Sequence, residues 1–156
     1  MEPVAIALGS NLGDRLMYLE RGVSALRAAI PDLTVSNFIE TDPVGVVRQP
    51  RFLNGAATGH WRGEARALLD LLMGIEQDCG RMRLHAAGAR TLDLDLILFG
   101  DRVIEEPGLL VPHPRFRERG FVLGPLSQIA PTMIDPVSGL EVGELYERWK
   151  ETSPCA

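Results

Sequence analysis

Apolar and polar positions change period several times along the chain, and each change predicts an element. Residues 3–9, PVAIALG, are a short apolar run ending in glycine, which predicts a buried strand. GSNLGD then offers turn residues and a helix start. From there Leu16, Leu19, Val23, Leu26 and Ile30 recur every three or four positions, one face of an amphipathic helix stopped near Pro31. Residues 33–40, LTVSNFIE, alternate and are β-branched and aromatic, which predicts a strand. Two prolines and a glycine exclude 41–51 from a regular central element. Residues 52–61, FLNGAATGHW, read as a strand weakened by glycine. Residues 64–79, with Leu68, Leu69, Leu71, Leu72 and Ile75, read as a second helix, and Gly80 sits at its C-terminal end. A basic loop of small residues, 81–90, precedes the clearest strand, TLDLDLILFG. Residues 107–131 are broken by prolines and predict short helices, and GELYERWK predicts a terminal helix. The order β-α-β-β-α-β is that of a ferredoxin-like α+β fold. Both helices are expected on one face of an antiparallel sheet, and loops on the other.

Composition narrows the class. The 156 residues predict one domain, 1–156, and 46% hydrophobic with 24% charged residues excludes a largely disordered chain. No stretch approaches the roughly 18 apolar residues of a membrane span. An acid stands near the start where a secretory leader would be positive, so no leader is expected. Cys79 and Cys155 are too few for a disulfide framework or zinc site, which favours a reducing cytoplasm. A net charge of −5 argues against binding nucleic acid through bulk electrostatics. Fifteen of the sixteen basic residues are nevertheless arginine, suited to bidentate phosphate contacts.

Three groups of residues carry candidate chemistry. On a strand Asp93 and Asp95 point one way while Leu92, Leu94 and Leu96 point the other. Such a pair fits a hard divalent cation carrying substrate phosphates, or simply a solvated acidic edge. Arg81, Arg83 and Arg90 lie just before it, as a phosphate clamp or as ion partners. No GxxxxGK[ST] occurs, so a Walker-type phosphate loop is excluded. Phe52 and Asn54 share a strand face and could stack and hydrogen-bond a flat heterocycle, or belong to core and turn. His113 stands between two prolines, with Arg115, Arg117, Arg119 and Phe121 after it. Cys79, Trp61 and Trp149 read as packing residues.

Together ALGSNLGD, TDPVG with QPRFLN, ARTLDLDLILFG and VPHPR with RGFVL, in this order from about residue 4 to 135, resemble the 6-hydroxymethyl-7,8-dihydropterin pyrophosphokinases. The resemblance implies a monomeric, ferredoxin-like enzyme of folate biosynthesis. Such an enzyme moves the β,γ-diphosphate of ATP onto the pterin hydroxymethyl group and releases AMP. By resemblance Asp93 and Asp95 hold two Mg²⁺ ions and Arg81 and Arg90 act on the phosphates. Glu76, Arg83, His113 and Arg119 lie on the ATP side. Phe52 and Phe121 sandwich the pterin, Asn54 reads its edge, and Thr41, Asp42 and Val44 meet its other polar atoms. The chain departs from the pattern at Ala86 and Ala87, where a basic residue and a tryptophan are usual, and His85 is the nearest basic group. The rival readings are a family member that binds pterin or nucleotide with impaired catalysis, and an RNA-binding module on the same fold.

Overall fold

The computed structural model of the protein describes residues 1–41, 51–80 and 91–152. Strand β1 (Glu2–Ser10) lies inside a five-stranded antiparallel sheet. Along its whole length it pairs with β4 (Phe52–Trp61), and on the other side with β5 (Asp93–Phe99). Two short strands, β2 (Thr34–Val35) and β3 (Ile39–Thr41), pair with the far side of β4. The order is β2-β4-β1-β5, so β5 is an edge strand. With α1 (Arg15–Ala29) between β1 and β2, and α2 (Ala65–Asp78) between β4 and β5, this is the expected ferredoxin-like arrangement.

Alternation in β1 builds two cores. Val4, Ile6 and Leu8 enter a cluster with Leu19 and Leu26 of α1 and Leu68, Leu72 and Ile75 of α2. Ala5 and Ala7 point the other way. Val23 and Ile30 fill out the α1 stripe at the expected three- and four-residue spacing, while Leu16, expected on the same face, is exposed at the start of the helix. Helix α1 opens on Asp14, whose carboxylate accepts from the Met17 N–H at 3.1 Å. Helix α2 ends before Gly80, which adopts φ +78, a left-handed conformation that glycine reaches without strain.

Three expectations change. The strand expected at 33–40 is two pieces, because the Ser36 side chain competes with the ladder. Its hydroxyl accepts from the Ala56 N–H at 2.8 Å, while its own N–H donates to the Ala56 carbonyl at 2.9 Å. The neighbouring Asn37 N–H leaves the sheet for Gln128 Oε1 at 2.9 Å. Among the described residues, helices as well as loops cover the second face of the sheet. Helices α3 (Gly120–Ile129) and α4 (Val142–Thr152) place Val122, Leu123, Leu126, Val142 and Leu145 against Ala5, Ala7 and Ala56. A hairpin of β6 (Ile104–Glu106) and β7 (Leu109–Val111) also leads into the proline-broken segment, where only short helices are expected. Its turn is Pro107-Gly108, with Gly108 at φ +75. Among the described residues no helix is long and apolar enough to cross a membrane.

Candidate active site

The register of the sheet decides which side chains can meet. Directly opposed residues of an antiparallel sheet point to the same face. Gly9 stands between Asn54 on β4 and Asp93 on β5, and Ala7 between Ala56 and Asp95. Thr41 opposes Phe52. Thr41, Phe52, Asn54, Asp93 and Asp95 therefore lie on one face of one sheet, the face that α3 and α4 cover in part. Asn54 is buried, and its Nδ2 donates to the Thr41 hydroxyl. Both aspartates are half-buried, while Leu94 between them is buried on the helix side.

The outer edge of β5 is organised by two backbone bonds. Glu76 is buried on α2, and its carboxylate accepts from the Leu94 N–H at 2.7 Å. Leu94 is the residue between the two aspartates, so this bond holds the stretch of strand that aims them. Further along, Ile6 pairs with Leu96 but Ala5 with Leu98, leaving Ile97 as the extra residue of a bulge. The freed Ile97 carbonyl accepts from the His113 N–H at 3.0 Å, which docks the histidine beside the strand. Asp95 borders two clefts. One, of about 390 Å³, is lined by Met73, Glu76, Gln77 and Asp93, and the other, of about 400 Å³, by Leu109, Leu110, His113 and Pro114.

His113 has its ring fixed as well as its backbone. The Arg115 N–H donates to its Nδ1 at 3.2 Å, which requires a bare Nδ1 and so places the proton of the neutral ring on Nε2. Burial pushes its pKa below the ordinary histidine value, and the charges of Arg119 and Arg115 push the same way against Asp93. At neutral pH it is thus a donor through Nε2–H. Arg119, at the start of α3, lies with its guanidinium 5.7 Å from the centre of the Phe121 ring. Phe121 packs against the cluster holding Ala7 and Ala56, one row along the sheet from Gly9 and Asn54.

One brace holds this segment from below. Arg117 lies in a 3-10 turn (Phe116–Glu118) and donates to both oxygens of the fully buried Asp135, Nε to Oδ2 at 2.6 Å and the terminal nitrogen to Oδ1 at 2.8 Å. Asp135 also accepts from the Ser138 hydroxyl at 2.7 Å and the Val137 N–H at 3.1 Å. The residue pattern alone gave this pair no role, since the partners lie 18 residues apart with no periodic relation. In the sequence Gly9 likewise marks only the end of a strand, although small and large residues alternate along β1.

Among the described residues no group of three or more histidine, cysteine, aspartate or glutamate side chains could hold a metal ion. The donor set is two carboxylates alternate on a strand, about 6 to 7 Å apart along it. That suits a hard divalent cation completing its shell with phosphate oxygens, and not a closed protein cage. Arg81, Arg83, Arg90, Asp42, Val44 and His85 lie outside the described residues.

The bond from Leu94 to Glu76 makes a testable separation. Glu76→Gln keeps an oxygen for that N–H. Glu76→Ala leaves a buried donor unpaired, expected to cost about 1 to 3 kcal/mol of stability. We expect Glu76→Ala to raise the Mg²⁺ concentration needed for half-maximal turnover and Glu76→Gln to change it little. Equal changes in both, measured by thermal melts and Mg²⁺ titration of activity, would rule out this role.

Comparison with known proteins places the chain in a family. The family described as 7,8-dihydro-6-hydroxymethylpterin-pyrophosphokinase (HPPK) matches residues 5–131. A 2-amino-4-hydroxy-6-hydroxymethyldihydropteridine pyrophosphokinase of Bacillus subtilis is 43% identical over 151 residues, covering 95% of this chain and 90% of its own. A protein of the same name from Synechocystis is 41% identical over 145 residues, covering 92% of this chain and 74% of its own. Among solved structures, a Plasmodium falciparum HPPK-DHPS shares the fold with a TM-score of 0.72 at 13% identity. The match covers 97% of this chain and 45% of that longer one. The chain belongs to the 7,8-dihydro-6-hydroxymethylpterin-pyrophosphokinase family.

Proposed function

We propose that this chain transfers the β,γ-diphosphate of ATP to the hydroxymethyl group of 6-hydroxymethyl-7,8-dihydropterin, and that it does so on the sheet face just described. The observation that carries the reading is the single row Asn54–Gly9–Asp93, which sets a buried amide and a carboxylate two strands apart on one face. At about 4.8 Å per strand that separation is roughly 10 Å, so a flat ring and a polyphosphate fit side by side.

The hydroxymethyl oxygen forms a bond to the β-phosphorus as the bond from that phosphorus to the bridging oxygen of AMP breaks. Such a transfer asks the protein for alignment and charge stabilisation more than for covalent chemistry. Phe52 and Phe121 hold the faces of the pterin, and Thr41 and Asn54 fix its edge, with Asp42 and Val44 assigned to the same side. Nε2–H of His113 donates to phosphate oxygen and Arg119 offsets its charge, with Arg81, Arg83, Arg90 and Glu76 assigned to the ATP side. The apolar wall of Leu109, Leu110 and Pro114 beside Asp95 takes the adenosine. ATP as co-substrate implies a divalent cation, and we assign two Mg²⁺ ions to Asp93 and Asp95. Bound there, they would neutralise polyphosphate charge. A cytoplasmic location and a monomeric state complete the proposal, and the scarcity of cysteine fits a reducing compartment.

The test is AMP formation from ATP and the pterin, with Mg²⁺ and with EDTA. We expect AMP that depends on the pterin and vanishes with EDTA. ADP in its place would show a different phosphotransferase. Pterin binding without nucleotide product would show a binding protein.

A further inference from the structure

The motif ALGSNLGD supplies none of the residues assigned above, yet its Gly9 stands in the middle of the site, flanked by Asn54 and Asp93. Conformation does not explain a glycine there, because Gly9 is not among the glycines with positive φ. Space does. A methyl group built on Gly9 would lie 2.8 Å from Asn54 Oδ1, 3.6 Å from Phe52 Cδ1 and 3.9 Å from Asn54 Cγ. Its three nearest neighbours are all side-chain atoms of the two β4 residues assigned to the pterin. Asn54 is thus held between two constraints, its oxygen over the bare Cα of Gly9 and its nitrogen on the Thr41 hydroxyl.

We infer that Gly9 is a positioning residue for pterin recognition: its missing side chain is the space in which the Asn54 amide is held. The inference rests on the function proposed above. The colliding oxygen is the free end of a flexible side chain, so the amide of Gly9→Ala can turn away without moving the sheet. That turn breaks the bond to Thr41 and tilts the amide off the ligand edge. Neither Asp93 nor Asp95 is among the three atoms nearest the new methyl. The damage is therefore confined to one substrate.

The experiment measures KM for the pterin and for ATP, with thermal melts, in the wild type, Gly9→Ala, Asn54→Ala and the double variant. We expect Gly9→Ala to melt near the wild type and to raise the pterin KM about tenfold or more, the scale of one or two lost hydrogen bonds. The ATP KM should stay within about twofold. Added to Asn54→Ala, Gly9→Ala should raise the pterin KM little further, because the group it displaces is already gone. An unchanged pterin KM in Gly9→Ala would overturn the inference. So would a parallel rise in the ATP KM, or penalties that multiply in the double variant. If the wild type makes no pterin-dependent AMP, the functional reading itself fails and this inference falls with it.

Discussion

Asp95→Ala should lower pterin-dependent AMP formation about a hundred- to a thousandfold, the scale seen when a preorganised charge partner of a transition state is removed. The expectation follows from where the side chain stands. Asp95 is half-buried on the exposed side of β5, opposite Ala7, and borders both clefts that flank the strand. A polyphosphate brought to this face carries several negative charges, which two carboxylates can tolerate only with cations between. Losing one carboxylate leaves a donor set too small to hold those cations against water. The fold should survive, because the buried face of β5 is built by Leu94 and Leu96. Asp95→Asn keeps the shape and one oxygen, and should fall between wild type and alanine. Steady-state kinetics with saturating Mg²⁺, beside thermal melts, make the check. Turnover in Asp95→Ala within tenfold of wild type would remove Asp95 from the phosphate site.

Asp135→Asn should produce the largest loss of stability, and the loss should depend on pH. Burial opposes the charge of Asp135. Arg117, the Ser138 hydroxyl and the Val137 N–H outweigh that penalty and hold its pKa at about 2, against an ordinary 3.8. A carboxylate lowered in this way stabilises the folded state above its unfolded pKa, and the contribution is lost as pH falls through the folded value. The shift corresponds to about 2 kcal/mol. Urea unfolding should therefore show a gap of that size or more between wild type and Asp135→Asn at pH 6. The gap should narrow below pH 4 and be nearly closed at pH 2. A pH-independent gap would show that shape, and not charge, holds this loop. Because Arg117 lies between His113 and Arg119 in sequence, the variant should also raise the ATP KM.

How far the chain explains itself varies with the range of the physics. The helices were legible because their apolar residues repeat every three or four positions. The aspartate pair was legible because a strand alternates, and the structure does put Asp93 and Asp95 opposite Leu94 and Leu96. The common face of Phe52 and Asn54 followed from the same rule. Ser36 was not legible, since a β-branched and aromatic run conceals a hydroxyl that replaces a ladder carbonyl. The hairpin at Pro107-Gly108 carried a plain turn signal that the surrounding prolines obscured. In β1 the alternation of Val4, Ile6 and Leu8 with Ala5, Ala7 and Gly9 was present but read as a uniform apolar run. Read by size, it marks the face that admits α3 and carries the proposed site. The docking of His113 on Ile97, and of Arg117 on Asp135, depends on a bulge and a distant loop. No local pattern announces either.

The outer edge of β5 has a consequence for association. An unpaired strand edge is a template on which another chain can add a strand. Here the Leu94 N–H is taken by the Glu76 carboxylate, the Ile97 carbonyl by the His113 N–H, and the bulge at Ile97 bends the strand out of line. The contacts that shape the site thereby also blunt the edge on which it is built, so the protein can keep a long apolar strand at its margin without inviting sheet-to-sheet aggregation.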